Sequence, residues 1–301
     1  MEKRWLALVF SAFLGGCANF QAVADFSRST TQMTSVVRSE FSQLDTLCVE
    51  QAELTIVLDK IRDEGPLKAC QSYRDSQGRL ASVTLDVLDD YAKALAGLAN
   101  NSTFNISSDV DALGSQIQGL RDPSGSPLVN SAEVGALTKL VSIIADVATQ
   151  TQRKRAVERL ASEKDALMTS GKILRSFFVA DSSAPPSRAK APYTNLVALT
   201  ADSLRFSSKS LSLQFSEREP LRSTELLRAS ESRRKQLEAR QGAAADNVPA
   251  RIVAAIDAWL AALDTFERDA FRPDSKELID ELKDIRKKAS DAKAALDALK
   301  G

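Results

Sequence analysis

Residues 274–300 read DSKELIDELKDIRKKASDAKAALDALK. Leu278, Leu282, Ile285, Ala289, Ala292, Leu296 and Leu299 fall at alternating steps of four and three, with charged residues filling the gaps. A spacing that averages ~3.5 residues lays one apolar seam along a helix. A half-buried strand would instead alternate apolar and polar at every second residue. The stretch is therefore a heptad helix, and its Ala-rich lower half lets a second helix come close. It either packs into the chain's own bundle or forms a coiled coil with another chain.

The same spacing recurs upstream. Ile252, Ile256, Trp259, Leu263 and Phe266 form one apolar stripe, entered at Asp246-Asn247-Val248-Pro249 with Asn247 as cap and Pro249 in the first turn, and interrupted by Pro273. Tyr193 onward is helical through Leu204, Leu211 and Phe215, and Pro220 forces a kink or a fresh start. Ser131-Ala132-Glu133 opens one long helical stretch carried by Leu137, Val141, Ile144, Ala148, Leu160, Leu167 and Leu174. Leu80, Thr84, Val87, Tyr91, Leu95 and Leu98 mark another helix, which stops at Asn100-Asn101. A loop follows to Ser107, then a short helix capped at Ser108 or Asp109 and running to Leu120, then a turn over Asp122–Pro127. A first helix is expected from Phe20 to Glu64-Gly65-Pro66.

No strand pattern competes, so the expected class is all-α: an elongated antiparallel bundle of long helices with coiled-coil-like packing. Residues 20–180 form its first helical region. The Pro/Ser-rich stretch 181–192 is a connection or a boundary, and 193–301 packs on the first region, ending in the heptad helix 274–300.

Composition excludes more chemistry than it suggests. The 301 residues are 44% apolar and 27% charged, with 40 basic against 40 acidic residues. Such a chain has enough apolar residues for a core, and it lacks the basic excess that nucleic acid as a partner requires. It contains no histidine. That removes Ser-His-Asp and Cys-His catalysis, HExxH zinc hydrolysis and imidazole proton shuttles.

The N-terminus reads as a signal. Lys3 and Arg4 precede the apolar run Trp5–Leu14, and Leu14-Gly15-Gly16-Cys17 closes it. The run is too short to span a bilayer, which takes ~20 residues in a helix. The closing tetrapeptide resembles the lipobox of bacterial lipoproteins. The resemblance implies cleavage between Gly16 and Cys17, leaving 1–16 as signal peptide and 17–19 as a tether. It also implies diacylglycerol on the Cys17 sulfur and an acyl chain on the new amino group. Ala18-Asn19 after the cysteine, rather than Asp, favours the outer membrane, facing the periplasm.

Cys48 and Cys70 remain as an even pair in an oxidising compartment, where a disulfide is the default. The expected helix to Glu64 conflicts with that bond. It would put Cys48 about 25 Å before the turn and Cys70 about 8 Å after it, whereas bonded cysteines hold their Cα atoms within about 7 Å. Either the helix breaks near Thr55-Ile56-Val57 or the thiols stay apart; the bond is the favoured reading.

Motifs for chemistry are incomplete. Met168-Thr169-Ser170-Gly171-Lys172 holds a Gly-Lys step, but Ala166 and Ile173 stand where a phosphate loop needs Gly and Ser or Thr. Ser187-Arg188-Ala189-Lys190 matches SxxK without its companion motifs. Asp86, Asp89 and Asp90 beside Tyr91, and Glu277, Asp280, Glu281 and Asp284, are carboxylate clusters read as solvated helix faces. Arg228, Arg233, Arg234, Lys235 and Arg240 alternate with Glu225, Glu231 and Glu238, as on a salt-bridged helix.

The functional expectation is a non-enzymatic envelope lipoprotein without cofactor or metal. It is held to the membrane through its N-terminal lipid and presents a side or tip to an envelope protein partner or the cell wall, with its oligomeric state open. The alternatives are a binder of a small apolar ligand between helices, in a cavity lined for instance by Phe177, Phe178 and Trp259, and a carboxylate-based envelope enzyme.

Overall fold

The computed structural model describes residues 3–58, 65–104, 116–122, 124–150, 152–179, 248–272 and 274–298. Among these the fold is all-α, with eight helices and no strand. The helices are α1 (Lys3–Leu58), α2 (Gly65–Tyr73), α3 (Arg79–Asn100), α4 (Ser131–Ala148), α5 (Arg153–Ala161), α6 (Lys164–Ser176), α7 (Val248–Asp269) and α8 (Lys276–Ala298). A π-helical turn, Arg74–Gly78, joins α2 to α3.

α1 and α3 form an antiparallel pair whose register can be read from side chains. The Ser27 hydroxyl donates to the Ala92 carbonyl at 2.7 Å, Thr34 donates to Asp89, Arg38 reaches Asp86 at 2.9 Å, and Arg74 reaches Asp45 at 2.8 Å. Partner numbers fall as α1 numbers rise, as opposed helices require. The apolar positions expected for α3 are buried, Leu80, Val87, Tyr91 and Leu95 completely. Each such side chain contributes roughly 1.5–3 kcal/mol by leaving water. α3 ends where the Asn pair predicts: Asn101 takes φ 54° and its N–H donates to the Gly97 carbonyl. Asn tolerates this left-handed capping position better than most residues.

α1 is described to Leu58, and its expected end at Glu64 lies outside the described residues. Elsewhere one boundary differs from the sequence reading. The single stretch expected from Ser131 to Leu174 is three helices, broken at Thr149-Gln150 and Ser162-Glu163. No Gly or Pro marks these breaks. At the first, Thr149 Oγ1 donates back to the Asp146 carbonyl at 2.9 Å. Arg153, opening α5, is drawn to the part-buried carbonyls ending α3, at 2.7 Å from Leu98 O and 2.8 Å from Ala99 O. At the second, buried Glu163 turns to Lys139 of α4 at 2.7 Å. α4 begins at Ser131 as expected, capped by Asn130, which exchanges both hydrogen bonds of a capping box with Glu133.

The heptad helix packs on its own chain. Leu278, Leu282, Ile285, Ala289, Ala292 and Leu296 are all buried, and α8 lies against α7 and α1. Leu299 lies outside the described residues, as do the expected features at Ser108 and Asp109, at 181–247 and at Pro273. The bundle is not antiparallel throughout. α7 opposes α1, with Phe271 meeting Phe20, Phe266 meeting Phe26 and Trp259 meeting Thr30. α8 opposes α7, with Arg268 on Glu277 and Arg251 on the Asp291 carbonyl. α8 therefore runs in the direction of α1.

α6 crosses α7 at Gly171, buried in the contact. A Cβ there would stand 2.5 Å from Leu260 Cδ2 and 3.0 Å from Trp259 Cζ3. The core beneath holds Phe26 stacked on Phe266 with centroids 4.0 Å apart. The Trp259 indole N–H donates to Thr30 Oγ1 at 2.9 Å.

Candidate functional site

Gly16 and Cys17 lie in α1, one helical turn before Phe20. The described side chains begin at Phe20. Phe20 meets Phe271 edge-on at 6.4 Å. The Arg153 guanidinium lies 4.3 Å over the Phe20 ring and the Lys154 ammonium 5.5 Å over Phe271. Aromatic faces attract cations within ~6 Å. Arg153 thus closes the C-terminal carbonyls of α3 and shields Phe20 together. Both cations come from α5, far along the chain from Phe20.

The opposite end of α1 carries Cys48 and Cys70, bonded with Cα atoms 5.7 Å apart. Of the two alternatives the sequence left open, the favoured bond is the one formed, and the thiols do not stay apart. The π-helical turn follows one turn after Cys70, between two shallow grooves. One, of about 350 Å³, includes Phe41, Tyr73 and Arg79; the other, of about 320 Å³, includes Lys68 and Arg121; Asp75 lines both. Burial pushes the Tyr73 hydroxyl up to about 12. Both grooves mix acids with bases, and the Arg74–Asp45 pair occupies part of the first.

The carboxylate clusters resolve into ion pairs rather than one concave pair of acids. Arg38 binds Asp86 and Asp89 at 2.9 and 2.7 Å, and Thr34 donates to Asp89. Burial works against the Arg38 charge, but the hydrogen bonds to Asp89 and Asp86 outweigh it and hold the guanidinium above its ordinary range. Asp90 is buried and meets Lys93 at 3.1 Å. Tyr91, fully buried, donates to the Leu160 carbonyl at 3.4 Å, and burial, with the Glu163 charge, pushes its hydroxyl upward. These groups are partly enclosed, not the open solvated face the sequence suggested. On α8, Glu277 pairs with Arg268 at 2.6 Å, Asp280 with Lys283 at 3.4 Å and Asp284 with Lys288 at 2.7 Å. Glu281 alone is raised, by burial first, against a hydrogen bond from Thr265.

Phe177 and Phe178 pack on Phe41 at 5.2 and 5.6 Å, and Trp259 packs on Phe26 at 6.5 Å. The three are spent on helix packing in separate places. Gly171-Lys172 sits inside α6 as a helix-crossing point, which accounts for the glycine without a phosphate. Ser187–Lys190 and the basic run 228–240 lie outside the described residues. Among the described residues no group of His, Cys, Asp and Glu is placed to hold a metal ion, and no helix is long and apolar enough to cross a membrane.

Sequence reading missed one concavity, a groove of about 420 Å³ between α1 and α8. It is lined by Thr31, Gln32, Ser35 and Val36 on one side and Arg286, Ala289, Ser290 and Lys293 on the other. The signal in α8 was present, since Arg286, Ser290 and Lys293 share one helix face, but α1 supplies the other wall. No family model, curated protein or solved structure matches the chain.

Proposed function

We propose that the chain is a cell-envelope lipoprotein, anchored through diacylglycerol on Cys17 after cleavage behind Gly16, and that it works by contact rather than catalysis. The carrying observation is the order of the N-terminal residues: Lys3-Arg4, a short apolar run, then Leu14-Gly15-Gly16-Cys17. Two acyl signals hold a folded domain durably on a bilayer, whereas one is marginal. The fold is compatible with this reading, because Phe20, about one helical turn after Cys17, packs on Phe271, so the bundle would stand close to its anchor. The Cys48–Cys70 bond suits an oxidising compartment such as the periplasm. The pairing of Asp86 and Asp89 by Arg38 speaks for support rather than acid-base work. The outer membrane, facing the periplasm, is the proposed site, with an envelope protein or the cell wall as partner.

Replacing Cys17 by Ser tests the anchor. The expected result is loss of palmitate incorporation and release of the protein from the membrane fraction. Undiminished labelling of the Cys17→Ser chain would overturn it.

A further inference from the structure

The α1–α8 groove differs from the other two concavities in the sign of its charge. Of its eight lining residues two are cations, Arg286 and Lys293, and none is a carboxylate. Between them stand three hydroxyls and one carboxamide, Thr31, Ser35, Ser290 and Gln32, over a floor of Val36 and Ala289. Arg286 lies 3.6 Å from Asp25 Oδ1, an oxygen held more closely by Arg28 at 2.8 Å. Lys293 has no ion-pair partner among the described residues. The cations lie two turns apart on α8, ~10 Å along the axis, near enough for both flexible side chains to converge on a ligand between them. The volume falls within the ~300–1,000 Å³ usual for small-molecule sites, where an apolar floor and a few polar groups set orientation.

From this geometry we infer that the groove is a binding site for a sugar carrying an anionic group, a carboxylate or a phosphate. Hydroxyls and a carboxamide both donate and accept, which matches the ring hydroxyls of a sugar. Val36 and Ala289 offer the apolar face a pyranose ring lies against. Arg286 and Lys293 select the anion by charge-assisted hydrogen bonds, the stronger kind. The inference does not depend on the lipid anchor: the groove lies on the flank of the folded bundle, and its occupancy can be measured whether or not Cys17 is modified.

The experiment titrates glucuronate, glucose 6-phosphate and glucose into the full chain in detergent solution, following heat and the amide signals of α1 and α8. The expected result is saturable binding of at least one anionic sugar at about 1 mM or tighter, with glucose weaker by about tenfold or more. Added salt should weaken the anionic sugars, since half-exposed charges are screened. The comparison of glucuronate with the phosphate shows which anion the groove prefers. Arg286→Gln with Lys293→Gln should cut the anionic affinity by about tenfold or more while leaving the melting temperature close to wild type. Ser290→Leu, which keeps both charges and fills the space between them, is the second variant and should abolish binding. Equal affinity for glucose, absence of saturable binding for all three sugars, or undiminished binding by Ser290→Leu would each overturn the assignment.

Discussion

The two ends of the packed part of α1 are held by different physics. At Phe20, helices α1, α3, α5 and α7 converge. Val23 and Phe26 are completely buried there, and Phe20, Phe271, Arg153 and Lys154 close the end by ring and cation contacts. At Cys48 the partner is α2, a helix of nine residues whose one fully enclosed apolar side chain, among those described, is Cys70 itself. Short isolated helices are marginal, and most helical stability comes from packing an apolar face. α2 has almost no such face, so a covalent bond and the Arg74–Asp45 ion pair stand where the other end has a core. Where apolar burial runs out, this chain uses a crosslink.

The comparison can be broken from its strong side first. Phe266→Ala removes a ring stacked 4.0 Å from Phe26 and almost fully buried. A loss of about 3 to 5 kcal/mol in unfolding free energy is expected. Urea unfolding at neutral pH measures it, and a loss below about 1 kcal/mol would show that this end is not the stable one. The Cys48→Ser, Cys70→Ser double variant should cost about 3 kcal/mol, by freeing the loop the bond closes. Its signature should be local: limited proteolysis cutting near α2 before α1, α7 or α8 are touched. Uniform cutting would mean that the crosslink supports the whole fold and that the contrast between the ends is false.

Third in size is Arg153→Ala, which leaves the Leu98 and Ala99 carbonyls unmatched and uncovers the Phe20 ring. A cost of about 1 kcal/mol follows from leaving these part-buried acceptors without their partner. Arg153→Lys should restore only part of it, since a lysine is a point charge and cannot fork onto two carbonyls. Full restoration by lysine would assign the effect to charge alone.

How much of this was legible beforehand differs element by element. The α8 seam and the α3 stripe were readable because each helix buries one constant face, so spacing alone records the burial. The breaks at Thr149-Gln150 and Ser162-Glu163 were not, because they follow from where Arg153 and Glu163 find partners on other helices, and no Gly or Pro announces them. The pairing of Cys48 with Cys70 was readable from parity, although the expected helix length stood against it. The α1–α8 groove was invisible for the same reason as the Trp259 to Thr30 bond, whose partners lie 229 positions apart. Spacing reports which residues share a face; it does not report which face it meets.

A titration sharpens the contrast most finely. The dense end carries Glu281 into partial burial against α7, where Oε2 finds no hydrogen-bond partner. Burial raises its carboxyl above the ordinary range; Thr265 donates to it and opposes the shift, Glu277 and Asp264 add to it, and Arg268 works against it. A carboxyl raised in the folded state binds its proton more readily there than in the unfolded chain. Its contribution to stability is therefore complete below the unfolded value of about 4.3 and is lost as pH rises through the folded one. Glu281→Gln keeps an acceptor for Thr265 and abolishes the titration. The variant should gain stability over the wild type at pH 7, by less than any change above, and the gain should shrink as pH falls toward about 4. Asp269, held low first by the Ser275 hydroxyl and further by Arg268 and Arg272, shifts the opposite way. It is common to both chains and cancels in the difference. Paired urea midpoints at the two pH values read the effect, and a gain that grows in acid would mean that the Glu281 charge is stabilised in the fold.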